Sequence, residues 1–424
     1  MNSRRSWVVF AVGTFAYLVA ITQRNTIGVA GAAAADRFET SASVLSTLAV
    51  VQIVVYALMQ VPVGVLIDRH GPRWLLMSGT GLMALGQILV GLAPGIEIAV
   101  LGRMLVGAGD ATLITSVIRV LNSWFSPRRI PLLSQAVGTL GQLGQVISAV
   151  PFVIILNEAG WTVAFVSAAA LSVLALIGVA LGMASTPPDA GSHRTHATMR
   201  RTYLQLRAAL RRPGVQLGFW TNYISHCSAT AFTLMWGVPF MVFALGYTSE
   251  LAASLLLIGV ATALISGPIL GALSTRFPRR RSDLVFGLAA ALTATWAALL
   301  LWPGVPPLWL VALLLGIMGS GGPAAMTAFD VVRMFNPRHS LGSANGIVNG
   351  AGYLAGFAIM LLTGLLLDIQ SISSGRDLYS LDAFRVAFVG QFVVMGIGVV
   401  FLLRSRHRAF QRLRETGEGS LPLG

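Results

Sequence analysis

Charged residues and cysteine are scarce in this chain. Charged residues make up 10% of the 424 residues, no lysine occurs among the 29 basic residues, and Cys227 is the one cysteine. A single cysteine forms neither a disulfide framework nor a metal site. The sequence also lacks a histidine and cysteine ligand cluster, a phosphate-binding glycine loop and a hydrolase motif, and its polar segments are too short for a catalytic domain. We therefore expect no enzymatic activity and no cofactor.

Long apolar runs dominate the sequence instead. Hydrophobic residues make up 55% of the chain, and the mean hydropathy is +0.77. Apolar runs of about 20 residues, the length that crosses a bilayer as a helix, recur from end to end. The pattern predicts an all-α membrane protein with twelve transmembrane helices. The predicted spans cover residues 7–32, 43–66, 74–93, 97–120, 131–156, 161–183, 215–245, 251–274, 284–302, 307–332, 341–367 and 383–403.

The arginines lie almost entirely on one side of these spans. Alternate loops, counted from the N-terminus, hold 23 of the 29 arginines. By the positive-inside rule, this placement predicts that both termini are cytoplasmic and that the protein crosses the plasma (inner) membrane many times. The net charge of +14 therefore reports orientation in the lipid bilayer, and we expect no nucleic-acid partner.

One long polar segment, residues 184–213, divides the predicted spans six and six. Its second part has the pattern of a basic amphipathic helix that lies along the inner leaflet. We therefore predict an N-terminal six-helix bundle over 1–183, this cytoplasmic linker, a C-terminal six-helix bundle over 214–404 and a cytoplasmic tail over 405–424.

Short motifs repeat between the two halves. PVGVLIDRHGPR at 62–73 has a weaker copy, ILGALSTRFPRR, at 269–280, and FSPRR at 125–129 recurs as FNPRH at 335–339. The copies of the two motifs are separated by nearly the same number of residues. Two parallel six-span repeats are typical of a large class of secondary transporters that bind substrate between the repeats, near the membrane midplane. The repeats predict two pseudo-symmetric bundles.

The segment GVLIDRHGPR at 64–73 resembles the signature loop between spans two and three of the major facilitator superfamily (MFS). Together with the six-plus-six organisation, this resemblance covers the whole chain. It implies that the acidic and basic residues of the loop latch the two halves on the cytoplasmic side, while the glycines allow close helix approach. Arg119 suits the same gate. The predicted cytoplasmic gate consists of Gly64, Asp68, Arg69, Gly71, Arg73 and Arg119.

Two further stretches, AITQRNTIGVA at 20–30 and RMLVGAGDA at 103–111, are similar to stretches of the organic anion:cation symporter branch. In that branch, the first-span arginine holds a substrate carboxylate and the fourth-span acid takes up the coupling proton. The resemblance implies these roles for Arg24 and Asp110. The sequence departs from the branch where Gln23 replaces the acid beside the first-span arginine, so a second proton site is missing from span one.

The residues alone lead to compatible hypotheses. A charge within a span costs about 2.5–3.5 kcal/mol, which marks Arg24, Arg103 and Asp110 as functional candidates. Arg24 either forks onto an anionic substrate or anchors the outer interface. Asp110 either carries the proton, since burial favours the protonated carboxyl, or makes a structural hydrogen bond to a neighbouring helix. Because helical side chains lean toward the helix N-terminus, Arg103 leans away from Asp110. We expect it to tune Asp110 or to anchor the outer end of its span.

Neutral polar side chains within the spans complete the predicted site. Asparagine and tyrosine at mid-depth orient polar substrates. In span two, glutamine and tyrosine recur every four residues through Gln60, which predicts either a cavity lining or hydrogen bonds between helices. We assign proton coupling to Asp110 and Arg103. The predicted substrate-binding residues are Arg24, Gln52, Tyr56, Asn222, Tyr223, Asn345 and Asn349.

These observations predict a secondary transporter that takes up a small organic anion with protons by alternating access, as a monomer. The rival hypothesis is a proton-coupled multidrug exporter. That branch typically has a Gly-x-x-x-Gly-Pro-x-x-Gly-Gly run in span five, whereas residues 138–151 have three glycines and place proline only at the end. A receptor or an enzyme would require a larger soluble domain.

Overall fold

The structure, a computed structural model, describes residues 4–39, 42–184, 209–336, 341–374 and 379–415. Every regular element within these ranges is helical. In the described part of the chain, 11 helical segments are long and apolar enough to cross a membrane. The longest, Ile130–Gly182, has 53 residues, or about 80 Å of helix, enough for two crossings of a hydrocarbon core of about 30 Å. The predicted twelve-span helical fold is confirmed.

The described residues of the first half form eight helices, some of which form one span in pairs. Their bounds are α1 Arg4–Val29, α2 Gly31–Phe38, α3 Ala42–His70, α4 Pro72–Leu92, α5 Ile96–Ala111, α6 Leu113–Trp124, α7 Ile130–Ala149 and α8 Pro151–Gly182. Within α8 the backbone leaves the helical region at Gly160, where φ is 84° and ψ is 176°. The fifth predicted span, 131–156, ends four residues before this turn, and the sixth begins directly after it.

The described residues of the second half form seven further long helices. Their bounds are α9 Pro213–Ala231, α10 Ser249–Arg276, α11 Arg281–Leu300, α12 Leu308–Gly319, α13 Gly321–Phe335, α14 Leu341–Ser374 and α15 Leu381–Glu415. Two π-helical segments, Phe232–Trp236 and Phe240–Ala244, continue α9 on either side of a short α-helical turn. The predicted amphipathic helix lies in the second part of the 184–213 linker, mostly outside the described residues, which resume at 209.

Several helix starts follow directly from the local sequence. Gly71 has a φ of 84°, a conformation that favours glycine, and Pro72 then begins α4. Pro213 begins α9 in the same way. The hydroxyl of Thr248 accepts a hydrogen bond from the backbone N–H of Leu251 at 3.2 Å and caps α10. Proline and a capping hydroxyl therefore fix these helix ends.

The contacts divide the chain into two compact units. The first unit comprises Met1–Ala209 with Pro337–Ile347, and the second comprises Leu210–Asn336 with Val348–Gly424. The start of α14 thus belongs to the first unit. The domain boundaries proposed from the sequence stay a prediction.

The fourth and tenth predicted spans each contain a break near their middle. α5 passes into α6 at Thr112, whose N–H donates to the carbonyl of Gly109 at 3.0 Å. α12 passes into α13 at Ser320, whose N–H donates to the carbonyl of Ile317 at 3.1 Å. The number of residues between the two breaks differs by only one or two from the number that separates the copies of each repeated motif. The internal repeat therefore includes these breaks.

The core of the second unit is aromatic. Phe240, Phe384 and Phe388 lie with ring centroids 5.2–5.4 Å apart, and Trp296 lies 4.9 Å from Phe388. The indole N–H of Trp296 donates to the hydroxyl of Ser228 at 2.9 Å. The buried polar edge of this cluster is thus hydrogen-bonded, as packing of an indole in an apolar core requires.

Glycines allow α4 and α5 to approach within backbone contact. A Cβ atom at Gly86 would lie 2.5 Å from the carbonyl oxygen of Gly102 and 2.8 Å from Cγ2 of Val106. Such distances are shorter than any normal contact, so a side chain at Gly86 must push the helices apart. By contrast, a Cβ atom at Gly81, also on α4, would meet no heavy atom within 4 Å.

We expect Gly86→Ala to lower the thermal unfolding temperature of the purified protein. Overpacking of this kind costs about 1–3 kcal/mol. Gly81→Ala is the matched control and is expected to leave the unfolding temperature unchanged or to raise it, because alanine favours helix by about 1 kcal/mol over glycine. Equal unfolding temperatures for the two variants would contradict the close α4–α5 contact.

Candidate functional site

The guanidinium of Arg24 on α1 and the carboxylate of Asp110 on α5 form a bidentate ion pair. Arg24 Nε lies 2.7 Å from Asp110 Oδ2, and Arg24 Nη2 lies 3.0 Å from Oδ1. The side chain of Asp110 is 1% exposed and that of Arg24 is 23% exposed. Asp110 is the middle residue of the 29-residue candidate span Ile96–Trp124. The pair therefore places a charge-assisted contact deep in the first unit, with one side of the arginine still open.

Tyr56 on α3 supports this pair from another helix. Its ring centroid lies 4.8 Å from Cζ of Arg24, in cation–π geometry. Since the ring covers a face of the guanidinium, Asp110 binds along its edge. Arg24 is held by residues of two other helices. The choice between an anion ligand and an interface anchor stays a prediction.

Arg103 is fully buried and is bound to α1 and α3. Its Nη1 donates to the hydroxyl of Thr26 at 3.2 Å, and its Nη2 donates to the carbonyl of Arg24 at 3.1 Å and to Oε1 of Gln52. None of the hydrogen bonds described for this unit joins Arg103 to Asp110, as the lean of the side chain predicts. The alternative in which Arg103 anchors the outer end of its span is wrong, because the side chain is 0% exposed.

Gln23 and Gln87 form a neutral network beside the two arginines. Gln23 is fully buried, and its Nε2 donates to the carbonyl of Ala168 at 2.5 Å and to the hydroxyl of Ser172 at 2.8 Å. Its Oε1 accepts from Nε2 of Gln87 at 2.5 Å. Sequence reasoning missed Gln87 and Thr26 as partners. The available signal was that Gln87 is polar within the apolar span 74–93.

The polar residues of span two, which are Gln52, Tyr56 and Gln60, contact three different neighbours. Gln52 is 1% exposed and accepts from Arg103, Tyr56 lies on Arg24, and Gln60 donates to the carbonyl of Tyr56 at 3.3 Å within its own helix. In the described residues, Nε2 of Gln52 has no hydrogen-bond partner. The stripe therefore includes hydrogen bonding between helices at Gln52.

Asp68 lies at the N-terminus of α14, within the first unit. It accepts hydrogen bonds from the backbone N–H of Gly342 at 2.9 Å and of Ser343 at 2.8 Å, and from the Ser343 hydroxyl at 2.7 Å. The unpaired amides and the dipole of a helix start favour a carboxylate there. Arg119 acts electrostatically on Asp68. A Cβ atom at Gly64 would lie 2.7 Å from the carbonyl oxygen of Gly342, so this glycine allows the close approach.

The remaining predicted gate residues lie around the same loop. Arg69 is exposed, and the φ of 84° at Gly71 favours glycine at that position. Nη2 of Arg73 donates to the carbonyl of Ala180 at 2.7 Å, near the end of α8. Arg73 therefore joins the loop to the sixth span of its own unit.

The polar residues predicted in the second half are buried, and each has its own surroundings. Oδ1 of Asn222 accepts from the backbone N–H of Gly352 at 3.1 Å, and Tyr223 packs 5.0 Å from the ring of Trp220. Asn349 is 8% exposed in the second unit. Asn345, at the start of α14 in the first unit, is 1% exposed, and within the described residues neither its Nδ2 nor its Oδ1 has a hydrogen-bond partner.

Comparison with known proteins identifies a family. The family model described as Major Facilitator Superfamily matches residues 13–358 and 227–423. An uncharacterized transporter of Bacillus subtilis, YybO, is 26% identical over 40% of this chain and 39% of its own length. A probable L-galactonate transporter of Escherichia coli is 26% identical over 39% of this chain and 36% of its own length. A probable sulfoacetate transporter of Cupriavidus necator, SauU, is 24% identical over 39% of this chain and 38% of its own length. Each match thus spans well under half of the curated relative.

Two solved structures show a similar fold along the whole chain. The fucose:proton symporter FucP of E. coli has a TM-score of 0.65 and 16% identity, covering 93% of this chain and 99% of its own. The proton:xylose symporter XylE has a TM-score of 0.70 and 14% identity, covering 95% of each chain. At such identities, the similarity concerns the fold alone.

Proposed function

The chain belongs to the Major Facilitator Superfamily, and from that premise we propose that it is a secondary transporter that takes up a small organic anion together with a proton. The observation that carries this proposal is the bidentate pair of Arg24 and Asp110. The pair combines an arginine, whose fork matches a carboxylate, with a buried carboxyl group that takes up a proton.

The pair suggests how proton and anion are coupled. While Asp110 is ionised, its two oxygens occupy the Nε and Nη2 edge of Arg24. Protonation of Asp110 removes its charge and weakens that pair. A substrate carboxylate then binds the same edge of the guanidinium, in place of Asp110. The proton on Asp110 and the anion on Arg24 therefore enter together, and release of one favours release of the other.

The gate in this proposal is the loop that contains Asp68. Its hydrogen bonds to Gly342 and Ser343 hold the start of α14 against the end of α3. Breaking and forming these bonds changes access to the cytoplasm as the transporter alternates between its two states. The arginine distribution supports a plasma-membrane location with both termini cytoplasmic, and we propose that the protein acts as a monomer.

The names of the curated relatives support an anionic substrate. L-Galactonate has one carboxylate, and sulfoacetate has a carboxylate and a sulfonate, so both are organic anions at neutral pH. The relatives that carry these substrates in their names are the probable transporters of E. coli and C. necator. Their similarity to this chain extends over only part of each sequence, so the substrate class remains a proposal for this protein.

A stability screen of the purified protein tests the proposal. We expect organic anions, with L-galactonate and sulfoacetate as the first probes, to raise the thermal unfolding temperature, because a ligand at 100 times its dissociation constant stabilises the native state by about 2.7 kcal/mol. Cationic drugs at matched ionic strength are the control. Stabilisation by cationic drugs and by no anion would contradict anion uptake and favour the multidrug exporter.

A further inference from the structure

The buried charges around the candidate site of the first unit do not cancel. Arg24 and Arg103 each carry a positive charge, and Asp110 carries the one negative charge beside them. Among the described residues of this unit, Asp110, at 1% exposed, is the most deeply buried carboxylate. The cluster therefore has a net charge of +1 when Asp110 is ionised and +2 when it is protonated.

The groups that face Asp110 come from the helices packed on α5. α1 contributes Arg24, and α5 itself contributes Arg103; both act electrostatically on Asp110. α3 contributes Tyr56, beneath Arg24, and α4 contributes the neutral Gln87.

Two other carboxylates, those of Asp68 and Asp330, each have partners of their own. Arg119 on α6 acts on Asp68, whose two oxygens also accept three hydrogen bonds at the start of α14. In the second unit, Asp330 binds Arg333 at 3.2 Å and accepts from the hydroxyl of Ser274 at 3.2 Å. Both carboxylates are held in ion-pair or hydrogen-bond networks of their own.

Gln23 occupies the position where a second carboxyl would most directly change this balance. It precedes Arg24 in α1 and is 0% exposed. Its amide nitrogen and oxygen are both used, toward α8 and α4 respectively. An amide takes up no proton in the physiological range, so the buried cluster has one titratable carboxyl group.

We propose that Gln23 limits this protein to one proton per transport cycle and thereby makes the uptake of a monoanion electroneutral. This inference rests on the proposed function and extends it to the charge class of the substrate. One proton passes from the outer solution to an oxygen of Asp110, and one monoanion binds Arg24. The loaded cluster then has a charge of +1, the same as the empty cluster with Asp110 ionised. The charge moved in the loaded half-cycle is therefore cancelled in the empty half-cycle, and no net charge crosses the membrane per cycle.

When the substrate is a dianion, the loaded and the empty cluster differ in net charge. With one proton on Asp110 and two negative charges on the substrate, the loaded cluster has no net charge, whereas the empty cluster has a charge of +1. Each cycle then carries one negative charge into the cell, against a membrane potential that is negative inside. One charge across 100 mV is worth about 2.3 kcal/mol, or a factor of about fifty in accumulation. The site therefore favours accumulation of monoanions.

Transport in proteoliposomes at clamped membrane potential tests this inference with the full chain. The probes are L-galactonate, a monoanion, and sulfoacetate, a dianion, each at a fixed pH gradient and at 0 or −100 mV inside. We expect the wild-type protein to accumulate L-galactonate equally at both potentials and to accumulate sulfoacetate less at −100 mV. In Gln23→Glu, a second proton enters with each anion, and accumulation of L-galactonate is expected to rise toward fifty-fold at −100 mV.

Gln23→Met is the matched control, because it changes the same buried position without adding a proton site, and it should remain independent of potential. If Gln23→Glu does not fold, the uptake of L-galactonate by the wild-type protein at the two membrane potentials tests the inference by itself. Voltage-dependent uptake of L-galactonate by the wild-type protein would overturn the inference and leave anion transport intact. Failure of the wild-type protein to transport either probe would instead overturn the proposed function, and this inference with it.

Discussion

Asp110→Asn is expected to abolish proton-driven accumulation of the transported anion while leaving counterflow exchange. Asparagine has nearly the same shape as the protonated carboxyl group, but it neither gains nor loses a proton. One proton per cycle supports about tenfold accumulation per unit of pH gradient, and the variant is expected to equilibrate the anion without concentrating it. Labelled anion uptake into proteoliposomes, with and without a pH gradient, measures both quantities in the same preparation.

The structure provides a control for this result. Glu158 is an exposed carboxylate of α8, and Glu158→Gln should accumulate anion as the wild-type protein does. A protein that lost exchange as well as accumulation would indicate that Asp110 serves mainly as a structural partner of Arg24. Wild-type accumulation by Asp110→Asn would show that the coupling proton binds elsewhere.

Arg24→Ala is expected to remove anion binding. Loss of one partner of a buried, hydrogen-bonded charge pair costs about 2–5 kcal/mol, which corresponds to at least a thirty-fold increase in the dissociation constant. Arg24→Lys keeps the charge without the planar fork and is expected to give an intermediate loss. The increase in unfolding temperature with anion concentration provides the dissociation constants of the variants.

Arg24→Ala also leaves Asp110 buried without its ion-pair partner, so the variant is expected to unfold at a lower temperature. The double variant Arg24→Ala with Asp110→Asn removes that unpaired charge and should recover stability without recovering binding. Arg37→Ala controls for the loss of an arginine, because Arg37 is exposed and donates to the carbonyl of Ala93. Unchanged stabilisation of Arg24→Ala by the anion would exclude Arg24 as the anchor.

Much of the architecture is readable from the sequence because each signal is local. A run of about 20 apolar residues predicts a span by its length alone, and the loop that begins at Gly64 carries the family resemblance in a few adjacent residues. Two short stretches that resemble one branch of transporters also mark Arg24 and Asp110 as functional candidates, whereas their bidentate contact is seen only in the structure. The functions of these two residues remain predictions.

The network around Arg103 was not predictable in the same way. The direction of its side chain follows from helix geometry, but its partners depend on the rotation and tilt of α1 and α3 against α5. Those angles are set by close contacts such as that of Gly107 on α5 with the backbone of Gln52 on α3, which no single stretch of sequence reveals. The same reason explains why Gln87, an isolated polar residue of α4, was not recognised as the partner of Gln23.

The turn at Gly160 has a consequence for biogenesis. The fifth and sixth spans are joined through this single left-handed residue, within a helical segment that is otherwise continuous from Pro151 to Gly182. A connection this short gives neither span the freedom to settle in the bilayer before the other. We therefore expect the two helices to enter the membrane during synthesis as one hairpin, whose depth fixes where α8 meets α4 and Gln23.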